Sequence, residues 1–221
     1  MKFLRLLLIV ELFLCTSVFA GSLKVHSGYA ETLSTTQCFT IDASYEGKGW
    51  EAGYRFRYPY NDIGARWEVP LPHKVRIISK VHANLSSLST YNLDSVVAFG
   101  QLFVGKNGVW DLSYAFGLQL SQYLSFNPAN QFVSFAPDYH LSFCWRFLDN
   151  TLGIRASIDS SDLYWYGYYI FNTIFSSGVD WQCTDTINLS LTAKCRTTDL
   201  LKENQYVDMV EFAAGLVWRI N

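Results

Sequence analysis

The sequence has few charged residues and no second long apolar run. Charged residues make up 16% of the 221 residues, whereas soluble domains average about 25%. After residue 20, no stretch approaches the ~20 apolar residues of a membrane-spanning helix, and no stretch keeps a 3.6-residue apolar period. Aromatic residues nevertheless reach 17%. This combination is atypical of a soluble globule and argues against a helical membrane protein.

The common signatures of catalysis and cofactor binding are also missing. The chain has no CxxC, no HxxxH and no closely spaced acidic loop for a metal, and no glycine-rich phosphate loop. "HANLSS" (82–87) is the only local group of His, Asn and Ser, and it matches no hydrolase pattern. We therefore predict no cofactor and no enzyme, with a lipid- or peptide-hydrolysing barrel as a minor alternative. The net charge of −2 gives no reason to expect a nucleic-acid partner.

Residues 1–20 have the form of a secretory signal peptide. Lys2 and Arg5 precede an apolar run at 6–14, and the small-residue pattern at 18–20 is typical of a cleavage site. Lipoprotein processing at Cys15 is the weaker alternative, because Leu14 stands where a small residue is expected. We predict export by a cleaved signal, followed by a single β-barrel domain at 21–221.

Apolar and polar residues alternate with a period of two through most of this domain. In "MVEFAAGLVWRIN" (209–221), one face is apolar, and the other includes Glu211, Gly215 and Arg219. Turns are predicted at 46–49, 59–62, 105–108, 148–151 and 184–186. From residue 94 onward, short and long connections alternate, as in an up-and-down antiparallel barrel. The prediction is all-β with about ten strands, within a range of eight to twelve: 37–45, 50–60, 75–85, 94–104, 109–122, 135–147, 152–159, 167–183, 187–196 and 208–221.

Tryptophan positions distinguish a membrane barrel from a soluble one. Trp110, Trp145, Trp181 and Trp218 fall on the apolar face, each within three residues of the short-turn end. Tryptophan favours the membrane–water interface, because its ring is apolar while its N–H needs a polar partner. The four residues therefore predict a membrane-interface girdle. A soluble barrel that encloses an apolar ligand is the less favoured alternative.

In a membrane barrel the polar face lines the lumen. The polar residues predicted to point inward are Glu51, Arg55, Arg57, Asp111, His140, Arg146, Arg155, Asp180, Lys194, Glu211 and Arg219.

The C-terminal region resembles known outer-membrane barrels. "GVDWQCTDTINLSLTAKCR" (178–196) is similar to the late hairpin of OmpA-type and OmpW-type barrels, with an aromatic residue before a "TD" turn. "GLVWRI" (215–220) resembles the terminal strand that targets such proteins for assembly, although the chain ends in Asn221 rather than Phe. The resemblance implies a bacterial outer-membrane location, with the lipid bilayer and the assembly machinery as partners.

The aromatic run and the cysteines admit more than one interpretation. Tyr164, Trp165 and Tyr166 lie in "SDLYWYGYYIF" (161–171), either as a continuation of the aromatic girdle or as a loop surface for a ligand. Cys183 and Cys195 cannot form a disulfide, because hairpin pairing places residue 195 opposite residue 175. Whether Cys38 and Cys144 meet across the lumen is left open.

These features predict an outer-membrane β-barrel that forms a narrow channel or passive transporter for small solutes. Two alternatives come from other classes. One is a surface adhesin or ligand-binding barrel that acts through its loops, and the other is a soluble periplasmic barrel that binds an apolar ligand.

Overall fold

The computed structural model describes residues 21–32, 37–57, 60–86, 90–125, 132–163, 173–197 and 207–220. These residues form one closed barrel of twelve antiparallel strands. Within the described ranges, no helix is both long and apolar enough to cross a membrane. The strands are β1 (Gly21–Thr32), β2 (Gln37–Gly47), β3 (Trp50–Arg57), β4 (Tyr60–Pro70), β5 (Val75–Ser86), β6 (Thr90–Val104), β7 (Trp110–Ser125), β8 (Phe132–Phe147), β9 (Leu152–Asp159), β10 (Thr173–Gln182), β11 (Ile187–Thr197) and β12 (Val207–Ile220).

The strands follow one another around the barrel in chain order, and β1 closes the ring against β12, with Gly21 opposite Ile220. The predicted all-β up-and-down barrel is confirmed, at the upper end of the predicted range of strand number. The two strands absent from the list of ten are β1 and β4. Pro70 obscured β4, but it occupies the last position of that strand, where a missing N–H breaks no central ladder.

The two ends of the barrel differ in their connections. At one end, residues 48–49, 71–74, 105–109, 148–151 and 183–186 make tight turns, and both chain termini of the barrel lie there. Asn107, Asp149 and Asn150 adopt positive φ in these turns, a conformation that Asn and Asp tolerate better than most residues. We call this the short-turn end. The turns predicted at 105–108, 148–151 and 184–186 are confirmed.

The pleat sends apolar side chains outward and polar ones inward. On β7, the outward-pointing Phe116 and Leu118 are 65% and 66% exposed, whereas the inward-pointing Gln119 is 1% exposed. Buried charged residues, including Asp94, Asp138 and Glu211, lie on the inner positions of other strands. This arrangement is the reverse of a soluble barrel with an apolar interior, so the soluble alternative is wrong. The largest buried apolar cluster described is small and lies on the inner wall of β5–β7: Ile78, Val96, Ala98 and Ala115.

The register of the β10–β11 hairpin separates its two cysteines. Cys195 lies opposite Phe175, as predicted, and Cys183 lies in the turn at the other end of the hairpin. Cys144, Cys183 and Cys195 are free thiols. The side chain of Cys38 lies outside the described residues, so its pairing stays open.

Candidate functional site in the barrel interior

A cavity of about 520 Å³ occupies one side of the barrel interior. Its wall is formed by inward positions of β1–β3 and β7–β12, together with Asp162 and Leu163 from the connection after β9. Because the pleat reserves these positions for polar residues, most of the wall is charged or hydroxylated. Its charged and histidine side chains are Lys24, His26, Asp42, Glu51, Arg55, Asp111, His140, Arg146, Arg155, Asp162, Asp180, Lys194 and Glu211.

The structure brings most of the predicted inward residues to this wall. Arg57 and Arg219 are the two that do not line the cavity. Arg57 is half-buried beside the sulfur of Met209, and Arg219 is exposed near the end of β12. The predicted residues that do line it are Glu51, Arg55, Asp111, His140, Arg146, Arg155, Asp180, Lys194 and Glu211.

Each cation on the cavity wall lies beside a carboxylate. The sequence alone did not indicate these pairs, because the partners come from different strands or, for Asp162, from the connection after β9. The ion pairs are Lys24–Glu46 at 2.9 Å, Lys24–Glu51 at 3.0 Å, Arg55–Glu211 at 2.7 Å, Arg55–Asp42 at 3.5 Å, Arg146–Asp111 at 2.6 Å, Arg155–Asp180 at 3.5 Å and Lys194–Asp162 at 2.9 Å. Paired charges of both signs make the wall strongly polar without a large excess of either sign.

Residues 160–163, which follow β9, fold into the barrel interior. We call them the inner segment. The hydroxyls of Ser160 and Ser161 donate hydrogen bonds to Asp138 at 2.9 and 2.5 Å, and Lys80 donates to Ser161 at 2.8 Å. On the opposite side, Lys194 pairs with Asp162. The inner segment is therefore held by β8, β5 and β11, although the sequence placed it in an external connection.

The inner segment divides the interior into two spaces. A second cavity of about 190 Å³ lies toward β4–β8 and shares Glu51, His140, Asp162 and Leu163 with the larger one. The carbonyl oxygen of Leu163 approaches β4 so closely that a Cβ added to Gly64 would lie 1.9 Å from it. Glycine at position 64 thus permits the segment to lie against this wall.

His82, from the "HANLSS" cluster, is buried between two carboxylates. Its Nδ1 lies 3.1 Å from Asp94 and its Nε2 lies 3.3 Å from Asp62, and all three side chains are at most 4% exposed. Carboxylate oxygens of ionised Asp only accept hydrogen bonds, so this geometry fits an imidazolium with both protons. The three residues tie β4, β5 and β6 together, and Ser87 of the cluster lies outside the described residues.

Two other histidines face the larger cavity, and each contacts an aspartate. His26 Nδ1 lies 2.9 Å from Asp42, and His140 contacts Asp159 through its Nδ1. Within the described strands and turns, no group of three or more His, Cys, Asp or Glu residues is arranged to hold a metal ion.

The tryptophans predicted as a girdle lie on the outer face near the short-turn end. Trp110 and Trp145 are directly opposite each other on β7 and β8. Sequence reasoning missed a second opposed pair, Trp50 and Trp67, on β3 and β4 at the same end. The exposed fractions of Trp110, Trp145, Trp181 and Trp218 are 41%, 57%, 54% and 50%. The predicted loop surface of Tyr164, Trp165 and Tyr166 lies outside the described residues.

Comparison with known proteins identifies the fold. No protein-family model matches the chain, and no curated protein matches its sequence. Three solved structures share the fold, each over 89% of this chain and 98% of theirs: "KdgM porin" (TM-score 0.51, 11% identity), "KdgM porin in complex with disordered oligogalacturonate" (0.50, 10%) and the NanC porin (0.54, 12%). These matches do not specifically support the OmpA or OmpW class. The chain has the fold of the KdgM and NanC porins, a closed antiparallel β-barrel.

Proposed function

We propose that the protein is a narrow channel through which small polar solutes cross the outer membrane by passive diffusion. The observation that carries this proposal is the cavity of about 520 Å³ inside a closed barrel, with a wall of charged and hydroxylated side chains. A polar interior inside an apolar exterior is the arrangement of membrane barrels that conduct water and solutes.

The inner segment makes this channel narrow. A twelve-stranded barrel without it would have one larger lumen, whereas here Asp162 and Leu163 separate the larger cavity from the smaller one. The bonds from Lys80 and Lys194 hold the segment from two opposite sides. Solutes therefore pass along the wall formed by β1–β3 and β7–β12, and large oligomers are excluded.

The outer face supports insertion in the bilayer. Its apolar side chains form the lipid-facing surface, and the tryptophans near the short-turn end lie where one membrane interface would be. Barrels of this class turn tightly on the periplasmic side, so we place the short-turn end there. We also propose cleavage of the signal peptide after Ala20 and recognition of the C-terminal strand by the outer-membrane assembly machinery.

The charges on the cavity wall affect which solutes the channel would favour. One of the porins with this fold was solved with oligogalacturonate, which is a polyanion. Here the cavity wall carries five Lys or Arg side chains and six Asp or Glu side chains. Because the cations are balanced by carboxylates, we do not extend polyanion uptake to this protein.

Planar bilayers containing the purified full chain test the channel proposal. We expect discrete conductance steps in potassium chloride and only weak preference between K⁺ and Cl⁻, since neither charge sign dominates the wall. Heat-modifiable gel mobility must show that the protein is folded, and heat-denatured protein serves as the control. Folded protein that produces no conductance and admits no small solute into liposomes would refute the proposal.

A further inference from the structure

The wall between β7 and β10 carries two ion pairs that face the larger cavity near the short-turn end. Arg146 pairs with Asp111 at 2.6 Å, and Arg155 pairs with Asp180 at 3.5 Å. The two arginine side chains are 35% and 43% exposed, whereas Arg55, deeper in the barrel, is only 5% exposed. The two pairs are therefore the most accessible arginine–carboxylate contacts of this wall.

A buried glycine lies between the two pairs. In the strand register, Gly153 is directly between Arg146 on β8 and Asp180 on β10. Neighbouring strands are about 4.8 Å apart, which puts the backbones of Arg146 and Asp180 ~10 Å apart. The side chains of both ion pairs line the larger cavity, whereas Gly153 lies beneath them. We call the part of the cavity wall formed by Asp111, Arg146, Arg155 and Asp180 the charged notch.

The donors and acceptors of the notch suit a molecule that carries both charges. A guanidinium offers N–H donors in a planar fork that matches a carboxylate, and an aspartate accepts from an ammonium. Arg155 is already oriented by donating to the hydroxyl of Thr192 at 2.8 Å. The contact of 3.5 Å between Arg155 and Asp180 is longer than a direct charge-assisted hydrogen bond of 2.7–2.9 Å, so a solute can enter it at little cost.

We propose that the charged notch is a transient binding site for small zwitterionic solutes of the amino-acid type. The carboxylate of the solute accepts hydrogen bonds from Arg146 and Arg155, and its ammonium group donates to Asp180 and Asp111. This inference rests on the proposed channel function and names its substrate class.

A solute of one charge sign gains less from the same site. The notch contains two cations and two anions. A monoanion attracted by the arginines is therefore repelled by the aspartates, and a monocation attracted by the aspartates is repelled by the arginines. A neutral polar solute gains no charge-assisted contact. Only a zwitterion replaces both halves of an ion pair without leaving either half unpartnered.

The test compares alanine, lactamide and lactate, which have the same number of non-hydrogen atoms. Their uptake into proteoliposomes containing the full chain is measured at low solute concentration, with the membrane potential clamped at zero. We expect alanine to enter about two- to fivefold faster than lactamide or lactate, since exposed ion pairs contribute at most roughly 1 kcal/mol. The double variant R155Q/D180N should remove this advantage, so that alanine enters no faster than lactamide or lactate.

The matched control neutralises an ion pair outside both cavities. Glu68 and Arg76 pair on β4 and β5 and line neither space, so E68Q/R76Q should keep the alanine advantage. Equal uptake of the three solutes by wild type, or an unchanged advantage in R155Q/D180N, would overturn the zwitterion site while leaving the channel intact. Absence of all uptake and conductance would instead overturn the channel itself.

Discussion

Replacing Gly64 by alanine should constrict the proposed channel. The inner segment lies against β4 at this position, and the carbonyl oxygen of Leu163 occupies the space that a side chain at residue 64 would need. The backbone of β4 is held on both sides by strand pairing, so it cannot move away. The segment must therefore shift toward the larger cavity.

The size of the shift follows from the contact distance. The added Cβ would lie 1.9 Å from the Leu163 oxygen, whereas ordinary contacts begin at 3.4 Å. The oxygen must move by about 1.5 Å, the difference between these distances. Overpacking of this kind costs about 1–3 kcal/mol. The bonds that Asp138 accepts from Ser160 and Ser161 restrain the segment, so this cost should appear as lower stability of the barrel.

Single-channel conductance in planar bilayers measures the constriction, and we expect the G64A conductance to be lower than wild type. The control is A65V, because the side chain of Ala65 lies on the other face of β4 and the pleat directs it toward lipid. An unchanged or higher conductance of folded G64A would refute the position of the inner segment against this wall.

Three further predictions concern the rest of the barrel. His82→Leu leaves two buried carboxylates without the imidazolium between them and should destabilise the barrel by about 3–5 kcal/mol in urea titrations followed by heat-modifiable mobility; a loss below about 1 kcal/mol would contradict the buried clamp. Leu118→Arg places a charge on the outer face at the middle of β7 and should cost about 2–4 kcal/mol in lipid bilayers, and an unchanged stability would argue against lipid contact there. Cys183 and Cys195 should both react with a thiol reagent in the unfolded, unreduced protein, whereas protection of both until reduction would reveal a disulfide.

The strand pattern was the most predictable part of the fold. Alternation in β7, β8, β11 and β12 depends only on neighbours in the chain, since the pleat sends successive side chains to opposite faces. β1 was missed, because Ser27 interrupts the apolar face that Val25 and Tyr29 share. β4 was left uncertain by Pro70. This proline does not disrupt the strand, because it is the last residue of β4, but the sequence alone does not show where the strand ends and the turn begins.

The interior was predictable in its residue types but not in its contacts. Inward positions of Arg155 and Asp180 follow from alternation, but their pairing depends on the register between β9 and β10. The placement of Asp162 beside Lys194 has no local signal at all, because two strand connections and a strand separate these residues in the chain.

The sequence by itself determined the up-and-down barrel, its apolar outer face and the impossibility of a Cys183–Cys195 bridge, because period-two alternation and hairpin register are local properties of the chain. Only the tertiary structure decided the number of strands, the ion pairs of the wall and the inward course of residues 160–163. Those features depend on which strands close the ring and on the space that Gly64 leaves for the inner segment. The division of the interior and the proposed charged notch therefore became visible only once the barrel was closed.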